Sequence, residues 1–305
     1  MEYAQLKPGR QFAPLHSLLY YSQRLVTHPR LRRLVVRTLT GALRLREGSG
    51  KELYAATPAE DAALAALYRS GYAPLGNLLD ALQCEDIRNW LSDKLLNDRD
   101  RERPGFTLAA RPHDVRVADY ALHDVIACPH ILALANSPPL LGLAARYMEC
   151  KPTISALGLR WSFPVDGNSA LQAFHRDSED WRYLKVLVYL TDVDGDAGPH
   201  VYLHGSHLTR APVRLRFYSD REIFEANSAD MLLTATGTSG FCFAVDTAGI
   251  HKGASPQLQP RLMLQIQYSL LPSYAYMYTP ERYDGPLRLD AYVNRLIVRP
   301  SASPC

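Results

Sequence analysis

Apolar positions along this chain follow two rhythms, and the change between them falls near residue 152. Before it, apolar residues recur at spacings of three and four, the period of helices with one buried face. This spacing predicts helices over 15–27, 30–46, 59–70, 77–97 and 131–148. Ser137-Pro138-Pro139 ahead of a leucine- and alanine-rich run reads as a helix start. The stretch 71–75 reads as a short strand leading into the helix over 77–97. Beyond 152, strand-like runs alternate with Gly, Pro and Asp punctuation, over 153–163, 182–191, 200–204, 240–245 and 261–271. In the last, Arg261, Met263, Gln265, Gln267 and Ser269 alternate with Leu262, Leu264, Ile266, Tyr268 and Leu270. One face is wholly apolar and the other more polar. A strand that packs outward on helices and inward on a polar pocket has this pattern. Helices first and a β core afterwards, in one folded unit, give an α+β expectation.

Composition narrows the function classes. Of 305 residues, 47% are hydrophobic and 21% charged, which excludes a chain disordered throughout. No apolar run approaches the roughly 20 residues a membrane-spanning helix needs. The net charge of +3 is too small to point to nucleic acid. It is unevenly placed, however: residues 1–60 hold ten Lys and Arg against four acidic residues. Within them Arg24, Arg30, Arg32, Arg33, Arg37, Arg44 and Arg46 are interleaved with leucines. Segment 24–46 therefore has two readings. One is peripheral contact with an anionic membrane; the other, preferred, is a helix packed on the core with its basic face in water. With a flexible joint at Gly48 to Gly50, residues 1–60 are read as a basic helical extension and 61–305 as one domain. The five cysteines, Cys84, Cys128, Cys150, Cys242 and Cys305, are odd in number and form no C-x-x-C. They favour a reducing compartment, and without an apolar leader the expected location is cytoplasmic. Cys242, in an apolar run, is read as a buried small hydrophobe.

The candidate chemistry lies in Gln172-Ala173-Phe174-His175-Arg176-Asp177. In extended backbone, residues i and i+2 face the same side, so His175 and Asp177 aim an imidazole and a carboxylate at one point. One further histidine completes the two-histidine, one-carboxylate set that holds Fe(II) with open positions. Ten histidines yield about one H-x-[DE] by chance, so context decides. His251 follows a strand and a turn, and Arg261 heads the polar face of the alternating strand. A buried arginine there can grip a carboxylate through two parallel hydrogen bonds. His200, His204 and His207 have metal-like spacing on a helix but fall in strand and turn, so no second metal is expected. Lys185 is read either as reaching a substrate anion or as an edge-strand charge. The 208–236 stretch, rich in arginine, is read with equal weight as a lid or a solvated loop.

Residues 172–207 resemble the phytanoyl-CoA dioxygenase family of Fe(II)/2-oxoglutarate oxygenases. The shared signs are His175-Arg176-Asp177, Leu190-Thr191-Asp192, Gly198-Pro199 and Gly205-Ser206-His207. The glycine turn from Gly237 to Gly240, then Asp246, His251 and Arg261 extend the likeness to roughly residues 70–272. The resemblance implies a double-stranded β-helix core, about 152–272, flanked by helices. It implies His175, Asp177 and His251 as iron ligands, with Arg261 on the distal carboxylate of 2-oxoglutarate. Gln172, just before the first ligand, and more weakly Arg160, on the preceding strand, would contact the co-substrate. With O₂, 2-oxoglutarate would yield succinate and CO₂ while a small or medium organic substrate is oxidised at an unactivated C–H bond. Two departures stand out: Gly253 where many relatives carry a small hydroxyl residue, and Leu187 where several carry Trp. Asp177 argues against halogenation, which needs that position vacated for chloride. Hydroxylation is the expected outcome, with desaturation or cyclisation as alternatives. A metal-binding barrel without catalysis would need neither Asp177 nor Arg261, and a metal-dependent isomerase would not need Arg261.

Overall fold

The computed structural model describes residues 2–54, 57–165 and 172–300. Cys305 lies outside the described residues, and the other four cysteines are buried and free. In chain order come β1 (Glu2–Tyr3), α1 (Pro14–Leu25), α2 (Pro29–Glu47), α3 (Pro58–Ser70), β2 (Tyr72–Asn77), α4 (Ala81–Leu91), β3 (Leu96–Asp98) and β4 (Val117–Tyr120). Then follow α5 (Leu122–Ala127), α6 (Ile131–Ala135), α7 (Pro138–Met148), β5 (Thr153–Ser162), β6 (Tyr183–Tyr189), β7 (His200–Leu203), α8 (Asp220–Ala226), β8 (Leu232–Ala235), β9 (Phe241–Val245), β10 (His251–Gly253) and β11 (Arg261–Ser269).

Two of the expected helices are cut short, each for a local reason. Asp80 and Gln83 form a reciprocal capping box, so α4 starts at Ala81 rather than 77. The preceding residues pair with β9 as a strand. The run over 131–148 divides into α6 and α7 ahead of Pro138-Pro139. Proline offers no backbone donor and pushes the residue before it out of the helical region.

Two antiparallel sheets face each other. The larger has the order β2-β9-β6-β11-β5-β4-β3, the smaller β10-β7-β8. This is the double-stranded β-helix. The large sheet also recruits β2, β3 and β4 from the mainly helical first half. The last two are only three and four residues long, too short for alternation to stand out in sequence. The apolar face of β11 packs outward with Leu140, Leu141 and Ile87 of the helices. Its other face turns inward, where Met263 joins Leu187, Tyr189 and Phe243 of the large sheet and Tyr202 of the small one. Alternation in β11 is thus the boundary between a helix-covered core and the barrel interior.

Helix α2 is docked on this core. Val36 and Thr40 are buried, and the Arg32 guanidinium donates to the carbonyls of Asp180 and Trp181. Arg30, Arg33 and Arg37 are exposed. No described helix is long and apolar enough to cross a membrane.

Candidate active site

His175 and His251 reach one another from different parts of the chain. Their backbones form a reciprocal antiparallel bridge, each N–H donating to the other's carbonyl at 2.9 Å. The bridge sets their rings 4.4 Å apart between centroids. The H-x-D segment is an isolated bridge and extended loop, not a regular strand. The i, i+2 relation holds nonetheless, because Asp177 N–H donates to Thr247 O and keeps the segment extended. Between the two ligands Arg176 points the other way. It donates to Ser206 O, Ala248 O and Thr209 Oγ1, tying the loop to both flanking turns. The turn before His251 is built as firmly. Asp246 caps it at Ala248 N and accepts from the Tyr147 hydroxyl. Gly249 is required there, since a Cβ would collide with the Tyr202 hydroxyl.

The donor atoms suit a divalent transition metal. His175 Nδ1 lies 2.9 Å from Ala173 O, and His251 Nδ1 3.0 Å from Gly249 O. Each Nδ1 therefore carries the proton and each Nε2 offers a lone pair. Asp177 closes the set at 3.4 Å from His175 Nε2 and 3.6 Å from His251 Nε2. One ligand atom from each of the three residues falls within 4.8 Å of the others, and they are the only such group among the described residues. Burial opposes the charge on Asp177, but the Lys185 ammonium beside it outweighs burial and holds the carboxyl well below its usual range. Burial lowers the His251 imidazole to about 3, which keeps it neutral.

Arg261 enters the same cavity from the first inward position of β11 and is 4% exposed. Its guanidinium donates to the carbonyl of Gly198 and, at 3.3 Å, to Ser162 Oγ. Gly198 makes that turn with φ +72°, where a Cβ would also strike Ala254 O. No carboxylate pairs with Arg261 among the described residues, and its Nε has no partner. Burial lowers its pKa, the mark of a cation removed from water without a counter-ion. The cavity that holds both the triad and Arg261 has a volume of about 280 Å³.

A family model for phytanoyl-CoA dioxygenase matches residues 67–255, well over half of the chain. The chain belongs to this family of Fe(II)/2-oxoglutarate-dependent oxygenases. No curated protein matches. Among solved structures, EctD from S. alaskensis with bound Fe is similar at 18% identity and TM-score 0.51, over 78% of this chain and 86% of its own. HygX from Streptomyces hygroscopicus, with nickel, 2-oxoglutarate and hygromycin B, is similar at 17% identity and TM-score 0.51, over 76% and 96%. The epimerase SnoN, in complex with Fe3+, alpha ketoglutarate and nogalamycin RO, shares 19% identity at TM-score 0.51, over 69% and 83%. At these identities the likeness is one of fold.

The cavity of this dioxygenase-family protein also gathers the weaker candidates. Gln172 is buried on its wall. Arg160 lines it too, but its guanidinium is engaged by Asp119 at 2.6 and 3.1 Å. Lys185 is not on an edge, because β6 lies between β9 and β11. It is buried and donates to Asp177 Oδ2 at 2.6 Å, with Glu179 at 3.4 Å. Among the polar wall residues, Asp119 and Arg99 escaped the sequence reading, while Gln265 was placed on the polar face of its strand without a role. Gln265 had a signal in its inward phase on β11. Asp119 had none, because β4 is too short to show a phase. The 208–236 stretch carries α8 and bridges Phe174 through Tyr218, bringing Phe217 within 6.1 Å of the His175 ring.

Proposed function

We propose that this protein hydroxylates an unactivated C–H bond of a small or medium organic substrate, using Fe(II), 2-oxoglutarate and O₂. The observation that carries the co-substrate is Arg261, a buried guanidinium without a carboxylate partner in the cavity that holds the triad. Leaving such a charge unpaired is costly, and a dicarboxylate bound beside the metal relieves it. HygX and SnoN, whose structures contain 2-oxoglutarate or alpha ketoglutarate with an organic compound, support this reading.

His175 Nε2, His251 Nε2 and the Asp177 carboxylate would hold the metal. The bound iron supplies oxidation of a C–H bond by O₂, coupled to conversion of 2-oxoglutarate into succinate and CO₂. The chain's own residues set the conditions. Ala173 O and Gly249 O fix the tautomers of the two histidines. Lys185 keeps Asp177 ionised and oriented. Arg261 takes the distal carboxylate and so orients the 2-oxo acid along the barrel. Leu187, Phe243 and Met263 form a dry wall, which limits water near the reacting atoms. Substrate occupies the rest of the cavity, towards Arg160, Asp119, Arg99 and Gln265. Its placement there decides between hydroxylation and desaturation or cyclisation.

Succinate formation by anaerobically purified protein given Fe(II), 2-oxoglutarate and air tests the reading. His175→Ala and Asp177→Ala should each abolish metal binding and turnover. Metal-dependent turnover that survives both substitutions would overturn it. With a substrate in hand, a mass gain of one oxygen marks hydroxylation, and loss of two hydrogens marks the alternative.

A further inference from the structure

His200 has a buried ring nitrogen with nothing to bond. The residue is 4% exposed, and its Nε2 has no partner. An unpaired polar atom in such a place calls for a ligand. Its surroundings indicate which one. On the small sheet His200 stands directly opposite Gly253, and His251 opposite Tyr202. Residues opposed across an antiparallel ladder share a face, as do positions i and i+2. His200, Gly253 and His251 therefore all look into the barrel, and all three line the cavity. The His200 ring stacks on that of His251 at 5.4 Å and tilts against Phe243 at 5.6 Å.

Arg261 arrives from the opposite sheet beneath this pair. A Cβ on Gly253 would lie 3.2 Å from the Arg261 guanidinium. Position 253 thus faces the guanidinium and offers it no side chain. Its ladder partner carries a free polar atom into the same cavity. Glycine at 253 and histidine at 200 are complementary: the first clears space over the arginine, and the second furnishes a hydrogen-bonding group beside it.

We propose that His200 is a second anchor for the co-substrate, its Nε2 bonding the distal carboxylate that Arg261 holds by charge. This rests on the 2-oxoglutarate reading above. His200 is then a binding residue for the 2-oxo acid, standing in for the absent side chain at 253. Its Nε2, free of any partner, can present N–H to the carboxylate, and the ring lies outside the group of three that would hold the metal.

The test is anaerobic calorimetry of Fe(II)-loaded protein with two ligands, 2-oxoglutarate and 2-oxovalerate. The second has the same 2-oxo acid head but no distal carboxylate. His200→Leu should weaken 2-oxoglutarate binding roughly 10- to 100-fold, the range for a hydrogen bond to a charged group. It should leave 2-oxovalerate and Fe(II) affinity within about twofold, the scatter of a conservative change. His200→Gln, whose amide reaches towards the Nε2 position, should regain part of the loss. Equal weakening of both ligands, or loss of Fe(II) affinity, would show that the ring only packs on His251 and would overturn the proposal. Unchanged 2-oxoglutarate affinity in His200→Leu would do the same. Failure of the wild-type protein to bind 2-oxoglutarate would instead overturn the co-substrate reading beneath it.

Discussion

Two arginines one ladder step apart behave in opposite ways. Arg261 on β11 faces Ser162 of β5 in register, and Arg160 of β5 faces Met263 of β11. Both line the same cavity. Arg160 shares Asp119 with Arg99, at 2.6 and 2.8 Å, so its charge is answered within the protein. Arg261 has only a hydroxyl and a carbonyl. A paired cation completes a wall, whereas an unpaired one is half of a binding site. The cavity therefore has one end where a cation meets no acid and another where Arg99 and Arg160 share Asp119; in the proposed function the first is the co-substrate end.

Exchanging the roles should break this contrast most visibly at Arg261. Arg261→Met should reduce 2-oxoglutarate affinity at least roughly 30-fold, since it removes one partner of a buried charge pair. The same substitution should leave thermal stability of the co-substrate-free protein unchanged or raised, because an unpaired buried charge has gone. A large fall in melting temperature without ligand would mean that Arg261 is structural. The converse holds at the other end. Asp119→Ala should destabilise the protein by about 1–2 kcal/mol, a buried-pair loss discounted for its partial exposure. It should leave 2-oxoglutarate affinity within about twofold, as expected for a residue outside that site. Chemical denaturation and calorimetry on the two variants separate these outcomes. An affinity loss in Asp119→Ala comparable to that in Arg261→Met would erase the division between the ends.

The end of the cavity at the triad and Arg261 was far more legible in the sequence than the end at Arg160 and Asp119, and the reason is periodicity. Arg261 opens a nine-residue strand whose alternation is unbroken, so its inward phase could be read directly. His175 and Asp177 share a side in any extended segment, and the bridge to His251 preserved that relation although no regular strand forms there. By contrast, Arg160 could be placed on its strand but not matched to its partner. Asp119 sits on a four-residue strand more than forty positions away, and pairing between distant strands leaves no local trace. Lys185 shows the same limit. Its inward phase was visible, but the central position of β6 depends on the order of the sheet. His200 was noticed only as one of three clustered histidines. Its orientation towards Arg261 follows from the register of β7 with β10, which no spacing in the chain encodes.

Two acids, Asp119 half-buried and Asp180 fully buried, sharpen the same comparison through pH. Asp119 and Asp180 are alike in chemistry and differ in company. Burial raises the Asp119 pKa, but Arg160 and Arg99 outweigh it and hold the carboxyl below its ordinary value. Asp180 is 0% exposed, and its carboxylate accepts from the backbone N–H groups of Trp181 and Leu271. Burial therefore dominates and lifts it to about 7, with the backbone donors and Arg32 opposing. The two acids then tilt stability in opposite directions. For Asp119, with a depressed pKa in the fold, stability is present above the ordinary carboxylate value and lost as pH falls through the folded one. For Asp180, with a raised pKa, stability is full below the ordinary value and lost as pH rises towards and through about 7. Near neutrality only Asp180 titrates of the two, and its contribution should fall by about 0.7 kcal/mol per pH unit. Urea denaturation at pH 6, 7 and 8 should show that slope in the wild-type protein and its loss in Asp180→Asn. The same slope in both proteins would mean that another group titrates there. It would also remove the parallel between an acid whose carboxylate no cation pairs with among the described residues and Arg261, the cation without an acid.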